Sequence, residues 1–374
     1  MIHNKKFSTT YYTHGFHPYP AKFTPQLVNK YFNLYCKNGY KIIDPFCGSG
    51  TTLVEAALND MDSVGIDLNP IAYIISKGKT SKYSDKEIEI IVSFINEIKK
   101  LLETKHFYNP LIEEIYIPEF PNRDHWFQKN VSYELAYLKL KIDSINNDNV
   151  KNLLYTGFSK IIVKVSNQDS EVRYTAKNKN HPNGIVYQSF IDTIASYLEI
   201  LLSKEHSLIA NSKVYHGDSY EILRSFKNDQ FDFVITSPPY INTFDYYLYH
   251  KQRMFWLGYD HRPVRKNEIG NHHRIDTKNF DTAKSEYIES MTDIMNELSR
   301  VTKKNSFFIM IIGDGIVDGR TIDMSEVVSE ICIRCKYSIE NIESIDLSET
   351  TRSFNKKFSN APKKEHSITL INRK

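Results

Sequence analysis

Lys41-Ile42-Ile43-Asp44-Pro45-Phe46-Cys47-Gly48-Ser49-Gly50 is a short apolar run that stops in a glycine-rich turn. Ile42 and Ile43 suit a buried strand. The glycines let the backbone turn tightly and approach a ligand with no Cβ in the way. On the C-terminal side, Leu53, Val54, Ala57 and Leu58 lie along one side of a helix over residues 51–58. A second strand, Ser63-Val64-Gly65-Ile66, ends in Asp67, and Asn69-Pro70 opens another helix, proline being suited to a first turn. Strand, helix, strand, helix at this spacing predicts a parallel, doubly wound α/β sheet.

That pattern breaks off near Thr80. From Ser84 to about Glu205 the chain is mostly helical in character, with apolar residues at helical spacing over 87–102 and 190–202. Between them, Ser166 to Gly184 is polar and predicts an exposed loop. Sheet patterning resumes at Lys213-Val214-Tyr215 and Phe231-Asp232-Phe233-Val234-Ile235, then at Phe307, Ile339 and Ser367, giving about seven strands in all. Three parts result. Residues 1–80 form the first part of the sheet domain, 81–205 a helical insertion, and 206–374 the second part of the sheet domain. No internal repeat is visible.

With 374 residues and a formal charge of +3, the chain is long enough for a substantial core, and its balanced total neither demands nor excludes nucleic acid. Cys36, Cys47, Cys332 and Cys335 are too few and scattered for a disulfide framework. Cys332 and Cys335 lack the second ligand pair of a zinc site. No N-terminal stretch resembles a signal peptide and no run looks long enough to span a bilayer, so the expected compartment is the cytoplasm, with no membrane partner.

The glycine-rich turn is, by itself, equally a bare turn. Asp67 adds weight: a carboxylate ending the next strand accepts hydrogen bonds from the two hydroxyls of a ribose, which indicates a nucleoside cofactor. No lysine follows the glycines as in a phosphate-binding loop. A helix N-terminal charge is the other reading of Asp67. Asp218 has two readings as well, an acceptor for an adenine amino group or a cap for the helix that follows.

Thr236-Ser237-Pro238-Pro239-Tyr240 is the sharper signal. Two prolines end a buried strand and stiffen the loop, and lacking N–H groups they leave carbonyl oxygens and the Ser237 hydroxyl as acceptors. Acceptors are what an amino nucleophile needs, since they hold its hydrogens and orient its lone pair. Tyr240 offers an aromatic face for an extruded base, worth roughly 1–3 kcal/mol against the cost of unstacking.

On these residues the chain resembles the amino-methyltransferases of DNA, in which a DPFxGSG-type loop binds S-adenosylmethionine and a Ser/Asn/Asp-Pro-Pro-Tyr/Phe tetrapeptide is catalytic. The segment Phe16-His17-Pro18-Tyr19-Pro20-Ala21-Lys22-Phe23 is similar to the family's motif that closes over the methionine end of the cofactor. The resemblance implies a Rossmann-like class I methyltransferase fold. It implies S-adenosylmethionine held by His17, Lys22, Phe23, Asp44, Pro45, Phe46, Gly48, Ser49, Gly50, Thr51, Asp67, Asn69 and Asp218. Ser237 and Pro238 would hold the target amine, with Pro239 completing the turn and Tyr240 stacking on the base. The Ser-Pro-Pro-Tyr form is most typical of cytosine-N4 enzymes, although in many of those the tetrapeptide precedes the glycine-rich loop, whereas here it follows. Cys47 follows no proline, which argues against cytosine-C5 chemistry.

Double-stranded DNA is the implied substrate and a separately encoded restriction endonuclease a candidate partner. Basic residues interleaved with aromatics over 246–274 suit phosphate contacts with stacking: Lys251, Arg253, Arg262, Arg265 and Arg274. Arg173 and Lys177 in the insertion are further candidates. No metal is expected, since amino methylation requires none. Adenine-N6 methylation, guanine-N2 methylation of RNA and a recognition subunit without catalysis are the rival readings.

Overall fold

The computed structural model describes residues 8–105, 117–171, 173–203, 207–242, 245–271, 279–347 and 363–374. The chain forms two compact units, each assembled from three segments: residues 1–20, 70–208 and 248–261 in one, and residues 21–69, 209–247 and 262–374 in the other.

The second unit holds the sheet. In chain order the strands are β1 (Lys41–Asp44), β2 (Asp62–Asp67), β3 (Gln168–Ser170), β4 (Arg173–Ala176), β5 (Ser212–His216), β6 (Phe231–Thr236), β7 (Thr302–Gly313), β8 (Gly315–Val317), β9 (Arg320–Ile322), β10 (Tyr337–Asp346) and β11 (Lys364–Asn372). Seven of them form one sheet in the order β10-β11-β7-β6-β1-β2-β5. The β5-β2-β1-β6-β7 pairings are parallel, and β11 is antiparallel to both β7 and β10. All seven expected strands are present, in a mostly parallel, doubly wound α/β sheet.

Strand periodicity explains why both faces are covered. Ile42, Phe233, Ile235, Ile309 and Ile311 pack on one face with Val28, Tyr31 and Phe32 of helix Pro25–Tyr35. Their neighbours Ile43, Val234, Phe308, Met310 and Ile312 point to the other, against helices Phe280–Val301 and Met324–Arg334. Successive side chains alternate across the pleat, so near-continuous apolar runs are what a doubly covered sheet requires.

The first unit is helical. Helices Asp85–Glu103, Lys129–Asp143, Asp148–Val165 and Ile185–Leu202 enclose Phe94, Leu135, Phe158, Phe190 and Trp256. Helix Asp85–Glu103 starts in a capping box, Ser84 and Glu87 bonding each other's backbone N–H.

The boundaries differ from the expected 1–80, 81–205 and 206–374 division. Helix Pro70–Thr80 joins the helical unit because Gly78 lets it approach Thr156, whose hydroxyl donates to the Ile74 carbonyl. Phe16 stacks on Tyr197 with ring centroids 4.0 Å apart, and Trp256 packs on Phe127 at 5.3 Å, which brings residues 1–20 and 248–261 into the same core.

Two further expectations are corrected. The polar stretch 166–184 contains the β3–β4 hairpin, with Ser166 and Gln168 buried, so it is not simply an exposed loop. Helix Ile185–Leu202 is long and apolar enough to cross a membrane by length and composition. Its Val186, Tyr187, Phe190, Ile194 and Tyr197 lie in the helical core.

Candidate active site

The parallel strands of the sheet unit all end at one edge, where open α/β sheets bind their ligands. Asp44 ends β1, Asp67 ends β2, Gly217 and Asp218 follow β5, and Ser237 follows β6.

At the first turn, Gly48 and Gly50 adopt φ of +49° and +79°, which only glycine takes without strain, and helix Thr51–Leu58 begins immediately after. Asp44 is 1 % exposed. Its Oδ1 accepts from Phe46 N at 3.1 Å and from the Thr236 hydroxyl at 2.6 Å, so the glycine-rich turn and the end of β6 are tied together. Asp67 accepts from Gly48 N and from Asn69 N, both at 2.8 Å, joining the ends of β1 and β2. Burial pushes both carboxyls up, to about 6, against the pull of these hydrogen bonds. Ser49 Oγ is buried and has no hydrogen-bond partner among the described residues.

This donor set fits S-adenosylmethionine. Two enclosed carboxylates, a left-handed glycine turn at a helix start and an orphaned hydroxyl lie together at the sheet's ligand edge. The Ser219 hydroxyl bonds Pro45 O at 2.5 Å and fixes the turn from the β5 side. Asp218 is a helix cap: its Oδ1 accepts from Tyr220 N and Glu221 N.

The second turn is braced throughout. Tyr287 OH donates to Pro239 O at 3.0 Å, which occupies one of the two lone pairs of that carbonyl. Ser237 Oγ lies 3.4 Å from Tyr240 OH, and Tyr240 OH lies 3.4 Å from Glu365 Oε2. Burial first, and the neighbouring Glu365 charge second, raise the Tyr240 phenol, so it keeps its proton. Beyond the turn, Glu268 accepts from Tyr246 N and Tyr247 N at the start of helix Tyr246–Leu257. Burial pushes its carboxyl up to about 8.

Other expected site residues fall elsewhere. Lys22 and Phe23 belong to the sheet unit; both are half-buried, Phe23 against the core under helix Pro25–Tyr35, and burial lowers the Lys22 ammonium. His17 belongs to the helical unit, where both ring nitrogens are engaged. Nδ1 pairs with Pro18 O at 2.6 Å and Nε2 with Ser159 Oγ at 3.1 Å. Burial, then the charges of Arg253 and His250, hold it well below the usual histidine range. Both ring nitrogens are therefore already engaged within the helical unit.

Arg253 is corrected. Its side chain is fully buried, and it donates to Glu171 at 2.6 Å, to Ser159 O at 3.0 Å and to Tyr249 O at 3.3 Å, so it is an interior strut and not a phosphate contact. Arg173, Lys177, Arg262 and Arg265 are exposed, Lys251 is half-buried over the Phe255 ring, and Arg274 lies outside the described residues. Glu365, Tyr287 and Gly313, which touch the Ser237–Tyr240 turn, and Glu268 beyond it are residues of the candidate site that the sequence did not single out. Only their positions at element ends could have pointed to them.

The family model described as DNA methylase matches residues 3–78. The type II methyltransferase M.MvaI of Kocuria varians is 29 % identical over 246 residues, 61 % of this chain and 53 % of that protein. M.MjaII of Methanocaldococcus jannaschii is 24 % identical over 397 residues, 82 % of this chain and 72 % of its own length. A tRNA (guanine(10)-N2)-dimethyltransferase of Methanothermobacter thermautotrophicus is 32 % identical over 82 residues, 22 % of this chain and 24 % of that protein. The chain thus spans about half the length of M.MvaI and nearly three quarters of M.MjaII. With the ligand edge built as described, the chain is similar to DNA amino-methyltransferases over the residues these comparisons cover, and S-adenosylmethionine is the cofactor its site fits.

Proposed function

We propose that this chain is a site-specific DNA methyltransferase acting on the exocyclic N4 amine of cytosine, within a restriction-modification system. The observation that carries the reading is the bond from Thr236 to Asp44 at 2.6 Å, which sets the Ser-Pro-Pro-Tyr turn beside the glycine-rich turn at one sheet edge. Asp44, Ser49 and Asp67 would hold the cofactor, which supplies an electrophilic methyl group. The Ser237 hydroxyl and the Pro238 carbonyl accept the hydrogens of the target amine and direct its lone pair, so positioning provides most of the rate. The base leaves the duplex and stacks on Tyr240, which offsets the cost of extruding it.

The helical unit, with exposed Arg173 and Lys177 on its hairpin segment, is the proposed target reader, and Arg262, Arg265 and Arg274 the further phosphate contacts. A cognate endonuclease is the proposed partner, on the strength of the type II names its relatives carry.

Sequencing DNA from cells expressing the chain, with detection of modified bases, tests this directly. N4-methylcytosine at one recurrent sequence is the expected result. N6-methyladenine would transfer the reading to the adenine branch, to which the family model also extends. Unmodified DNA together with methylated RNA would overturn it.

A further inference from the structure

Tyr240 is held from behind. A Cβ added at Gly313, the end of β7, would lie 2.7 Å from its Cε2 and 3.1 Å from its Cδ2, so the ring rests directly on glycine backbone. Its hydroxyl stands between Ser237 Oγ and Glu365 Oε2, 3.4 Å from each. Such contacts are long without substrate and tighten in the complex. Glu365 is itself fixed, because both of its neighbours are anchored on Asp314. Lys364 N donates to Asp314 Oδ2 at 2.8 Å and His366 Nε2 lies 3.0 Å from Asp314 Oδ1.

Proton counting gives this chain of hydroxyls a direction. A carboxylate only accepts, and a phenol carries one proton. Tyr240 therefore donates to Glu365 and accepts from Ser237. Ser237 in turn has one proton, which Tyr240 takes, so the serine oxygen presents lone pairs alone to whatever enters the site.

We propose that Glu365 is a positioning and specificity residue: by fixing the direction of the Ser237–Tyr240–Glu365 chain it makes Ser237 an obligate acceptor. The site then receives a base whose reactive position bears an amino group and turns away the deaminated base with a carbonyl there. A serine free to rotate would donate to that carbonyl and accept either base. This inference rests on the proposed amino methylation.

The test uses the full chain and duplexes containing the site found by modification sequencing. A second duplex carries the deaminated counterpart at the target position, uracil for cytosine or hypoxanthine for adenine. The ratio of the two dissociation constants is measured for the wild type, for Glu365→Gln, whose amide lets the chain run backwards, and for Tyr240→Phe, which keeps the ring and removes the hydroxyl. Both variants should lose about tenfold or more of the preference for the amino base. Turnover should fall while the cofactor dissociation constant stays at the wild-type value. A preference unchanged in Tyr240→Phe, or in a Glu365→Gln protein that binds cofactor normally, overturns the proposal. Wild-type methylation of the amino duplex is the control, and its absence refutes the underlying reading independently of the variants.

Discussion

Asp44 in the sheet unit and Arg253 in the helical unit are both buried charges, but their partners differ in kind. Asp44 accepts a backbone N–H from the turn that follows its own strand, and Asp67 accepts two. Arg253 donates to the carbonyls of Ser159 and Tyr249 and to Glu171 on the hairpin segment. Strand-to-helix turns present N–H groups two or three residues on, so Asp44 and Asp67 each find one partner locally, in Phe46 N and Asn69 N, and Asp67 takes its second, Gly48 N, from the neighbouring turn. Glu134 in the helical unit, on helix Lys129–Asp143, also accepts two backbone N–H groups, but they come from Gly184 and Val186 at the start of a different helix, Ile185–Leu202. A buried guanidinium needs carbonyls and an anion, which here come from Tyr249 one turn back on its own helix and from Ser159 and Glu171 far away in the chain.

The sharpest way to break this comparison is Arg253→Ala. Removing one partner of a buried pair leaves Glu171 without its counter-charge and the Ser159 carbonyl without its extra donor, a loss of roughly 3–5 kcal/mol. Denaturant unfolding should show it, and Arg253→Lys should not restore it, because a single ammonium cannot reproduce a three-way fork. Unchanged stability combined with weakened DNA binding would return Arg253 to the nucleic-acid surface.

Gly313→Ala probes the sheet side. The added methyl falls on the Tyr240 ring, and overpacking of this kind costs about 1–3 kcal/mol. Its larger signature should be a drop in methyl transfer at unchanged cofactor affinity, since the displaced ring belongs to the proposed catalytic turn. Equal losses of cofactor binding and turnover would show that the two turns move together and that Gly313 has no particular tie to Tyr240.

The difference in partners also explains what the sequence made legible. The seven strands were readable because alternation across a doubly covered sheet leaves apolar runs, and the two turns because glycine and proline mark them. Asp44 and Asp67 came with those turns. Arg253 was misread because a basic residue among aromatics has the same pattern whether it faces phosphate or Ser159. Asp218 stood open between two readings, and the structure shows the capping one. Glu365 and Gly313 were invisible: their relation to Tyr240 comes from the pairing of β11 with β7, where Glu365 sits opposite Gly313. No local pattern encodes that register.

The carboxylates give a pH test of intermediate size. Asp44 and Asp67 titrate near 6, above the unfolded value of about 4, so the folded chain holds these protons more tightly. Their contribution to the stability of the cofactor-free chain is complete below about pH 4 and lost as pH rises through about 6. Asp314 runs the other way. Although burial alone would raise it, hydrogen bonds from His366, Met324 N and Lys364 N hold it below the ordinary range, and its contribution is lost on acidification. Cofactor hydroxyls need the charged acceptors, so cofactor affinity should weaken as pH falls below about 6, by up to about tenfold per pH unit for each group. A dissociation constant flat between about pH 5 and 8 would mean that neither carboxylate meets the cofactor.

The smallest expected effect on stability belongs to Arg173, and there the comparison is most exposed to failure. Its guanidinium is 62 % exposed and 3.5 Å from Asp169, an ordinary surface pair. Arg173→Ala should change stability by no more than about 0.5 kcal/mol. The proposed grip on DNA predicts instead a change in salt dependence. Each phosphate contact releases counterions, so the slope of log affinity against log salt should fall by about one when Arg173 is removed. The change should be the same on specific and unrelated duplexes, because a backbone contact carries no sequence information. A slope equal to that of the wild type would remove Arg173 from the interface and leave Arg262 and Arg265 of the sheet unit as the exposed cations to test next.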